Sequence, residues 1–381
     1  MTISAPAKFV EFEVPDPEAA NYLSAIFGIK DRNIRAAMYQ THFYAERIIP
    51  KHSGKARIIF IPRPGLKFVQ HLLDERLRGM FEALNYEGMF GTAKATSYIK
   101  HAQYHSDAKY VLQMDLQDAY SSVKKTRLKT TLRRLLTKKK DSLAERYERH
   151  YRFFGDKNKT KINKEWTAQN KKELVNKLTD IIIELCTRRD ILPQGTPTAP
   201  FLFHLYVAVN LFPRLQKICG TLPPAYHAKL SMYIDNIVIS SAKPIPQATI
   251  ADIRTAIVKA GLKDNERKTK QASIRNTCPL ITGLRINNGK AVLSRRWIRF
   301  LRGYFNRAAD DKSMWIQAFG YHTMIKHIYR YPGPEEMPRQ LRKAIDKFEK
   351  AVAGQRWDDF LQGKGHYARL LVRKSRYALE D

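Results

Sequence analysis

The stretch Ser231-Met-Tyr-Ile-Asp-Asn-Ile-Val-Ile-Ser240 constrains the fold more than any other, because two runs of strand-forming residues flank a short acidic corner centred on Asp235. The pattern predicts a hairpin. At its tip stands a carboxylate, a hard oxygen donor of the kind small divalent ions take. By itself this is an ordinary turn; a second segment changes its weight. Lys109 to Asp115 reads Lys-Tyr-Val-Leu-Gln-Met-Asp, which puts Tyr110, Leu112 and Met114 on one face of a strand and Val111, Gln113 and Asp115 on the other. Asp115 therefore ends a strand and faces away from an apolar layer. Leu116 to Val123 lose the period of two, as a turn entering a helix does. Two strand-borne carboxylates, far apart in sequence but paired in one sheet, can hold two divalent ions that grip the attacking and leaving oxygens of a phosphoryl transfer.

The order of these pieces resembles the palm of a reverse transcriptase. Asp115-Leu-Gln-Asp-Ala-Tyr120 matches the first block, a metal-binding Asp followed five residues later by an aromatic. Leu192-Pro-Gln-Gly-Thr-Pro-Thr-Ala-Pro200 matches the Leu-Pro-Gln-Gly block, with Ala199 where the family has Ser. Tyr233-Ile-Asp235-Asn236 matches Tyr-x-Asp-Asp except at its last letter, and Gly261, Leu262, Asn265, Lys268 and Thr269 match a fourth block. Upstream, Lys55-Ala-Arg-Ile-Ile-Phe-Ile-Pro62 and Leu66-Lys-Phe-Val-Gln70 look like the fingers blocks of bacterial members of the retron and group II intron group; downstream, Ile281-Thr-Gly283 resembles the Val-Thr-Gly of the retron-like branch. The matches run in family order from about residue 47 to 305. The Asn-Ala-x-x-His element of true retrons is not expected in this chain.

The resemblance implies an α+β right-hand polymerase. Its N-terminal helical segment would be 1–46, its fingers 47–108, its palm of antiparallel sheet plus helices 109–290 with a basic fingers insertion at 125–190, and its helical thumb 291–381. It further implies that Asp115 and Asp235, with the carbonyl of Leu116 and with Asn236 beside them, hold two magnesium ions, manganese being the alternative. Tyr120 would exclude a 2'-hydroxyl by bulk. Lys55 and Arg57 would meet the triphosphate, Gln194 and Gly195 would line the nucleotide pocket, and Lys268 would protonate the leaving pyrophosphate. The implied activity is RNA-directed DNA synthesis from deoxynucleoside triphosphates on a dedicated noncoding RNA in antiphage defence, with a partner defence protein or a second copy of the chain. Two other readings stay open: DNA synthesis without a nucleic-acid template, and a non-catalytic RNA-binding scaffold.

Asn236 is the departure that matters. A neutral amide in place of a carboxylate removes a unit charge near the ions, an effect of about 3 kcal/mol at ~5 Å and an effective dielectric of ~20. An active enzyme preferring manganese or high magnesium is expected.

Charge points to a polyanion independently of any family. With 68 Lys and Arg against 36 Asp and Glu, the net charge is +32 and the pI about 10.0, more than a neutral-substrate enzyme requires. Lys138 to Lys177 holds 13 basic against 6 acidic residues, interleaved with Tyr147, Tyr151, Phe153, Phe154 and Trp166, a mixture suited to clasping RNA. Residues 290–381 hold 20 basic against 10 acidic. There Trp297, Phe300, Leu301, Tyr304 and Phe305 fall on one helical stripe, predicted to be core, while Arg295, Arg296, Arg299 and Arg302 lie elsewhere on that helix, where they would contact nucleic acid.

Other signals are negative. Cys186, Cys219 and Cys278 have no paired spacing, so neither a disulfide framework nor a zinc site is expected. His101 and His105, four apart, read as surface or capping residues for want of an acidic partner. Asn287-Asn-Gly289 reads as a hairpin turn. The apolar run from Pro200 to Phe212 is too short to span a bilayer and predicts a buried helix, and the N-terminus has no basic start followed by an apolar core. No membrane association and a cytoplasmic location are expected.

Overall fold

A computed structural model describes residues 17–40, 44–50, 56–92, 96–154, 167–277, 279–287, 289–330 and 332–353. Helices α1 (Pro17–Phe27) and α2 (Asp31–Met38) precede a hairpin of β1 (Tyr44–Pro50) and β2 (Ala56–Pro62). Then come α3 (Pro64–Met80), β3 (Met89–Phe90), α4 (Tyr98–Tyr104), β4 (Tyr110–Asp115) and the helices α5 (Ala119–Ser122), α6 (Lys125–Thr137), α7 (Lys140–Phe154), α8 (Ala168–Cys186), α9 (Ala199–Asn210) and α10 (Phe212–Gly220). The chain continues through β5 (Lys229–Tyr233), β6 (Asn236–Ser241), α11 (Gln247–Lys259), β7 (Lys270–Ser273) and α12 (Ile274–Thr277). It closes with β8 (Leu280–Ile281), β9 (Leu284–Asn287), β10 (Lys290–Leu293), α13 (Arg295–Asp310), α14 (Trp315–Tyr329) and α15 (Arg339–Val352). The class is α+β, as expected. The elements group into two units, Met1–Pro279 and Leu280–Asp381. The division falls earlier than residue 290 because β8, β9 and β10 pair with one another in a sheet of their own.

The first unit is organised on a five-stranded sheet in the order β3-β5-β6-β4-β7. It is mixed rather than purely antiparallel, since the two-residue β3 runs parallel to β5. One face carries Leu112 and Met114 of β4, Leu230 and Met232 of β5, and Ile237 and Ile239 of β6, all buried in the main core. That is the apolar face the alternation in β4 predicts. The other face is not simply solvent, because Val111 is fully buried there.

Helix α9 lies in the core on all sides, with Phe201 through Ala208 buried without a break. An all-round apolar helix has no stripe to expose, and its Tyr206 hydroxyl is satisfied by donating to Ala260 O at 2.6 Å. Among the described residues no helix is long and apolar enough to cross a membrane.

Within the basic stretch expected as an insertion at 125–190, helices α6 and α8 are part of this core. Leu128, Leu132, Leu135 and Leu136 of α6 and Leu174, Val175, Leu178 and Ile182 of α8 join the same buried cluster as the sheet. Several cations are matched internally: Lys125 to Glu184 at 2.9 Å, Lys129 to Asp180 at 2.6 Å and Lys171 to Asp141 at 2.7 Å. Such partly exposed pairs contribute about 0–1 kcal/mol each, so their main consequence is to reduce the charge free for a polyanion. Tyr147 stacks on Tyr22 of α1 at 5.0 Å and packs on the core, which removes it as a stacking platform for RNA. Trp166 and the side chains of Tyr151, Phe153 and Phe154 lie outside the described residues.

In the second unit, the turns follow from backbone chemistry. Ile281 pairs with Leu284, leaving Thr282 (φ +46°) and Gly283 (φ +88°) as a two-residue turn with both φ positive. That geometry favours Gly at the second position, which accounts for the Thr-Gly letters. Lys290 pairs with Asn287 across Gly289 (φ +77°), the hairpin expected there. Ser294 caps α13 by accepting from Trp297 N at 3.3 Å. Leu301, Tyr304, Phe305 and Ala308 form the buried stripe of α13. Trp297 and Phe300, expected in the same stripe, are 38% and 43% exposed, although both rings meet Tyr321 of α14 edge-on.

Candidate active site

Asp115 and Asp235 meet because their strands pair. Strand β4 runs antiparallel to β6 with Asp115 opposite Asn236, and β5 joins β6 with Tyr233 opposite Asn236. The turn is therefore Ile234-Asp235, one residue earlier than an Asp-Asn corner, and Asn236 opens β6. Asp235 O accepts from Leu116 N at 3.0 Å, which ties the exit of β4 to the hairpin tip. Ile234 sits at φ +58°. A β-branched residue there is strained by roughly 1–3 kcal/mol and persists only where the surroundings over-determine it. The neighbouring β3 supplies part of that restraint: Phe90 O accepts from Ile234 N at 3.4 Å, and a Cβ on Gly91 would stand 2.8 Å from the Ile234 side chain.

The electrostatics show Asp115 acting on Asp235. Burial, and next the charge of Asp115, raise the Asp235 carboxyl above its ordinary value, while Lys268 and Arg57 pull the other way. Asn236 Nδ2 donates to Asp235 Oδ1 at 3.1 Å. Asp115 Oδ2 accepts from Lys268 Nζ at 2.9 Å and from Asn265 Nδ2 at 3.4 Å, and the Asp115 carbonyl accepts from Asn265 N at 2.8 Å. Asn265 thus holds Asp115 twice, a role the sequence did not single out. Leu116 forms a bridge with Asp264 whose two hydrogen bonds use Asp115 O and Gln117 N, so the Leu116 carbonyl is left out of that ladder.

Two carboxylates and a backbone carbonyl are the hard oxygen donors that suit magnesium, which keeps several waters and relies on few protein ligands. A pair of like charges, one already raised by the other, is also an arrangement that a cation neutralises. Among the described residues there is no group of three or more His, Cys, Asp and Glu side chains placed to hold a metal, so the donor set at Asp115 and Asp235 rests on two acids.

Tyr120 on α5 packs its ring 5.3 Å from Phe203 of α9. Burial, followed by the charge of Asp235, pushes its hydroxyl up to about 12, with Arg57 opposing. Arg57 acts on both Tyr120 and Asp235, so the guanidinium of β2 faces the same space as the acids. The loop Gln194-Gly195 lies against β2: Phe60 N donates to Gln194 O at 2.8 Å, and Gly195, at φ +104°, leaves no room for a side chain beside Ile59 and Phe60. Lys55 lies outside the described residues. In the second unit Arg295, Arg296 and Arg299 are exposed, whereas Arg302 is half-buried and bonded to Gln340 of α15.

The histidines are the largest departure from expectation. His105 does occupy the C-cap position of α4, yet both His101 and His105 are fully buried. Their partners are serines of the hairpin strands rather than acids: His101 Nε2 lies 2.7 Å from Ser231 Oγ, His105 Nε2 lies 2.6 Å from the same oxygen, and His105 Nδ1 lies 2.7 Å from Ser240 Oγ. Burial drives the proton affinity of His101 down to about 4 and that of His105 well below the usual imidazole range. The letters to find them were present, since His101-Ala-Gln-Tyr-His105 departs from Asn-Ala-x-x-His only at its first position.

A reverse transcriptase (RNA-dependent DNA polymerase) family model matches residues 49–302. The Retron Mx162 reverse transcriptase of Myxococcus xanthus is 26% identical over 259 residues, covering 65% of this chain and 47% of that protein. The chain thus spans about half the length of that curated relative. Among solved structures, telomerase from Candida albicans with a fragment of telomeric RNA gives a TM-score of 0.42 at 11% identity, covering 90% of this chain and 60% of that one. Telomerase from Candida Tropicalis with a telomeric RNA fragment gives 0.41 at 11% identity, covering 84% and 55%.

Proposed function

Because the chain belongs to the reverse transcriptase family, we propose that it is an RNA-directed DNA polymerase whose active site is the Asp115–Asp235 pair. The observation that carries this reading is the convergence of the two acids across β4 and β6, with Tyr120 and Arg57 acting on the same space. In the reaction the primer 3'-oxygen attacks the α-phosphorus of a deoxynucleoside triphosphate, the bond to the bridging oxygen breaks, and pyrophosphate leaves. Two magnesium or manganese ions, when bound, acidify the primer hydroxyl and carry charge on the leaving oxygens. Asp115, Asp235 and the Leu116 carbonyl would hold them, with Asn236 orienting Asp235 by its hydrogen bond.

The remaining residues position and select. Arg57 meets the triphosphate with a guanidinium fork. Tyr120 closes the space beside a 2'-hydroxyl, and its raised pKa keeps it neutral there. Gln194 and Gly195 bring backbone close to the nucleotide. Lys268, 2.9 Å from Asp115 Oδ2, would give its proton to the leaving pyrophosphate. Residues 47–108 act as fingers, the β4-β5-β6 region as palm and the second unit as thumb, with Arg295, Arg296 and Arg299 on nucleic-acid phosphates. The resemblance to retron-like enzymes supports a dedicated noncoding RNA as template, a role in antiphage defence and a cytoplasmic place of action.

Sequencing nucleic acid that co-purifies with wild type and with Asp235→Ala tests this. DNA complementary to a co-purifying RNA, present only with wild type, is the expected result. DNA without a matching RNA favours untemplated synthesis, and RNA alone with both proteins favours a binding scaffold.

A further inference from the structure

Cross-strand partners share a face of a sheet, so the register places Asp115, Asn236 and Tyr233 at one end of one face and Val111, Ser240 and Lys229 further along it, with Ser231 opposite Val238 between them. Helix α4, capped by Ser97 accepting from Lys100 N at 3.1 Å, packs against β5. Its His105 bridges Ser231 on β5 and Ser240 on β6, and its His101 joins the same Ser231 hydroxyl. One hydroxyl donates only once, so at least one of the two imidazole Nε2 atoms at Ser231 donates to it. The arrangement in which His101 donates to Ser231, Ser231 to His105 and His105 to Ser240 leaves only an acceptor lone pair on His101 Nδ1, the one ring nitrogen of the pair without a hydrogen-bond partner. That assignment follows from the network rather than from observed hydrogens. It needs both rings neutral, as their burial dictates.

The link to the acids is short. The ring of His101 stacks on Tyr233 with centroids 5.4 Å apart and planes 26° apart, and Phe90 of β3 packs on His101 at 5.1 Å. Tyr233 is followed directly by the strained Ile234 and by Asp235. We propose that His101 and His105 are positioning residues, which through Ser231, Ser240 and the Tyr233 ring hold the β5–β6 hairpin so that Asp235 stays beside Asp115 as a metal ligand. The proposal rests on the reading of that pair as the metal site. It differs from a purely structural role, in which the network only satisfies buried polar atoms and its loss lowers stability alone.

The test uses the full chain and two readouts, Mn2+ binding by electron paramagnetic resonance with Asp235→Ala as reference, and kcat and KM for deoxynucleotide incorporation. The unfolding midpoint is recorded for every variant. His101→Leu and His105→Phe are expected to weaken Asp235-dependent Mn2+ binding and to lower kcat by ~10–100-fold, the scale of a small misplacement of reacting groups, with KM little changed. His105→Gln, whose amide oxygen can accept from Ser231 near the Nε2 position, recovers part of both. Thr179→Val, which removes a buried hydroxyl of α8 bonded only to Val175 O, is the stability control and leaves Mn2+ binding and kcat at wild-type levels. Ser240→Ala replaces His105→Phe should the latter not fold. Wild-type Mn2+ affinity and kcat in a folded His105→Phe or Ser240→Ala overturn the proposal, as does an equal loss in Thr179→Val. Wild type that binds Mn2+ through Asp235 without incorporating nucleotide overturns the polymerase reading alone, and Mn2+ binding then decides the positioning role.

Discussion

Asn236→Asp restores the acid that the family carries at this position, and its effect follows from the geometry. The Asn236 side chain is exposed, opposite Asp115 across the ladder and 3.1 Å from Asp235 Oδ1. A unit charge ~5 Å from another is worth about 1 kcal/mol in a water-like dielectric and about 3 kcal/mol at an effective dielectric of ~20. Exposure argues for the smaller figure, which doubles to ~2 kcal/mol for a divalent ion, a roughly 30-fold gain in metal affinity. Against this stand the lost hydrogen bond and a third carboxylate beside a carboxyl that is already raised. Taking a lost hydrogen bond at ~1 kcal/mol, ~1 kcal/mol remains, a net gain of no more than roughly fivefold. Because protons compete for the raised Asp235, the gain is full at alkaline pH and shrinks as pH falls towards the carboxyl range. The assay is a Mg2+ and Mn2+ titration of deoxynucleotide incorporation at two pH values. Half-saturation at the same ion concentration as wild type, at both, refutes the view that Asn236 limits metal binding.

Further outcomes follow from the same geometry. Gly195→Ala puts a Cβ against Ile59 and Phe60 at φ +104° and is expected to lose ~1–3 kcal/mol by denaturant unfolding, with unchanged stability as the contrary result. Stability should fall with acid through the buried histidines: their folded proton affinity lies below the unfolded value, so the contribution is complete above pH ~6.5 and is lost as pH drops towards the folded value of about 4 for His101, a penalty of about 3 kcal/mol from that residue. Thermal melts in which His101→Leu keeps the wild-type slope between those pH values would contradict this. Tyr120→Ala should let ribonucleotides compete with deoxynucleotides while metal dependence stays as in wild type, measured by incorporation from mixed pools.

Local letters carried the acids well. Strand alternation from Tyr110 to Asp115 put Leu112 and Met114 in the core and Asp115 on the other face, where they are found. The hairpin around Asp235 was legible too, though its turn is shifted to Ile234-Asp235 because a β-branched residue at positive φ is no sequence signal. What depends on coverage by another element was not legible. The stripe of α13 is a true helical face, but periodicity cannot say that Trp297 and Phe300 stay partly exposed beside Tyr321. The basic residues of α6 and α8 look like a free surface until Glu184 and Asp180 are seen beside Lys125 and Lys129. His101 and His105 lacked an acidic partner in sequence because their partners are hydroxyls more than a hundred residues away.

The most direct measurement is incorporation of deoxynucleotides on an RNA template by wild type, Asp115→Ala and Asp235→Ala, with RNA binding recorded in parallel. Incorporation by wild type that falls to background in each variant while RNA binding persists is the predicted result. A folded variant lacking either carboxylate that still extends the primer at the wild-type rate contradicts the assignment of the paired strands as the catalytic centre.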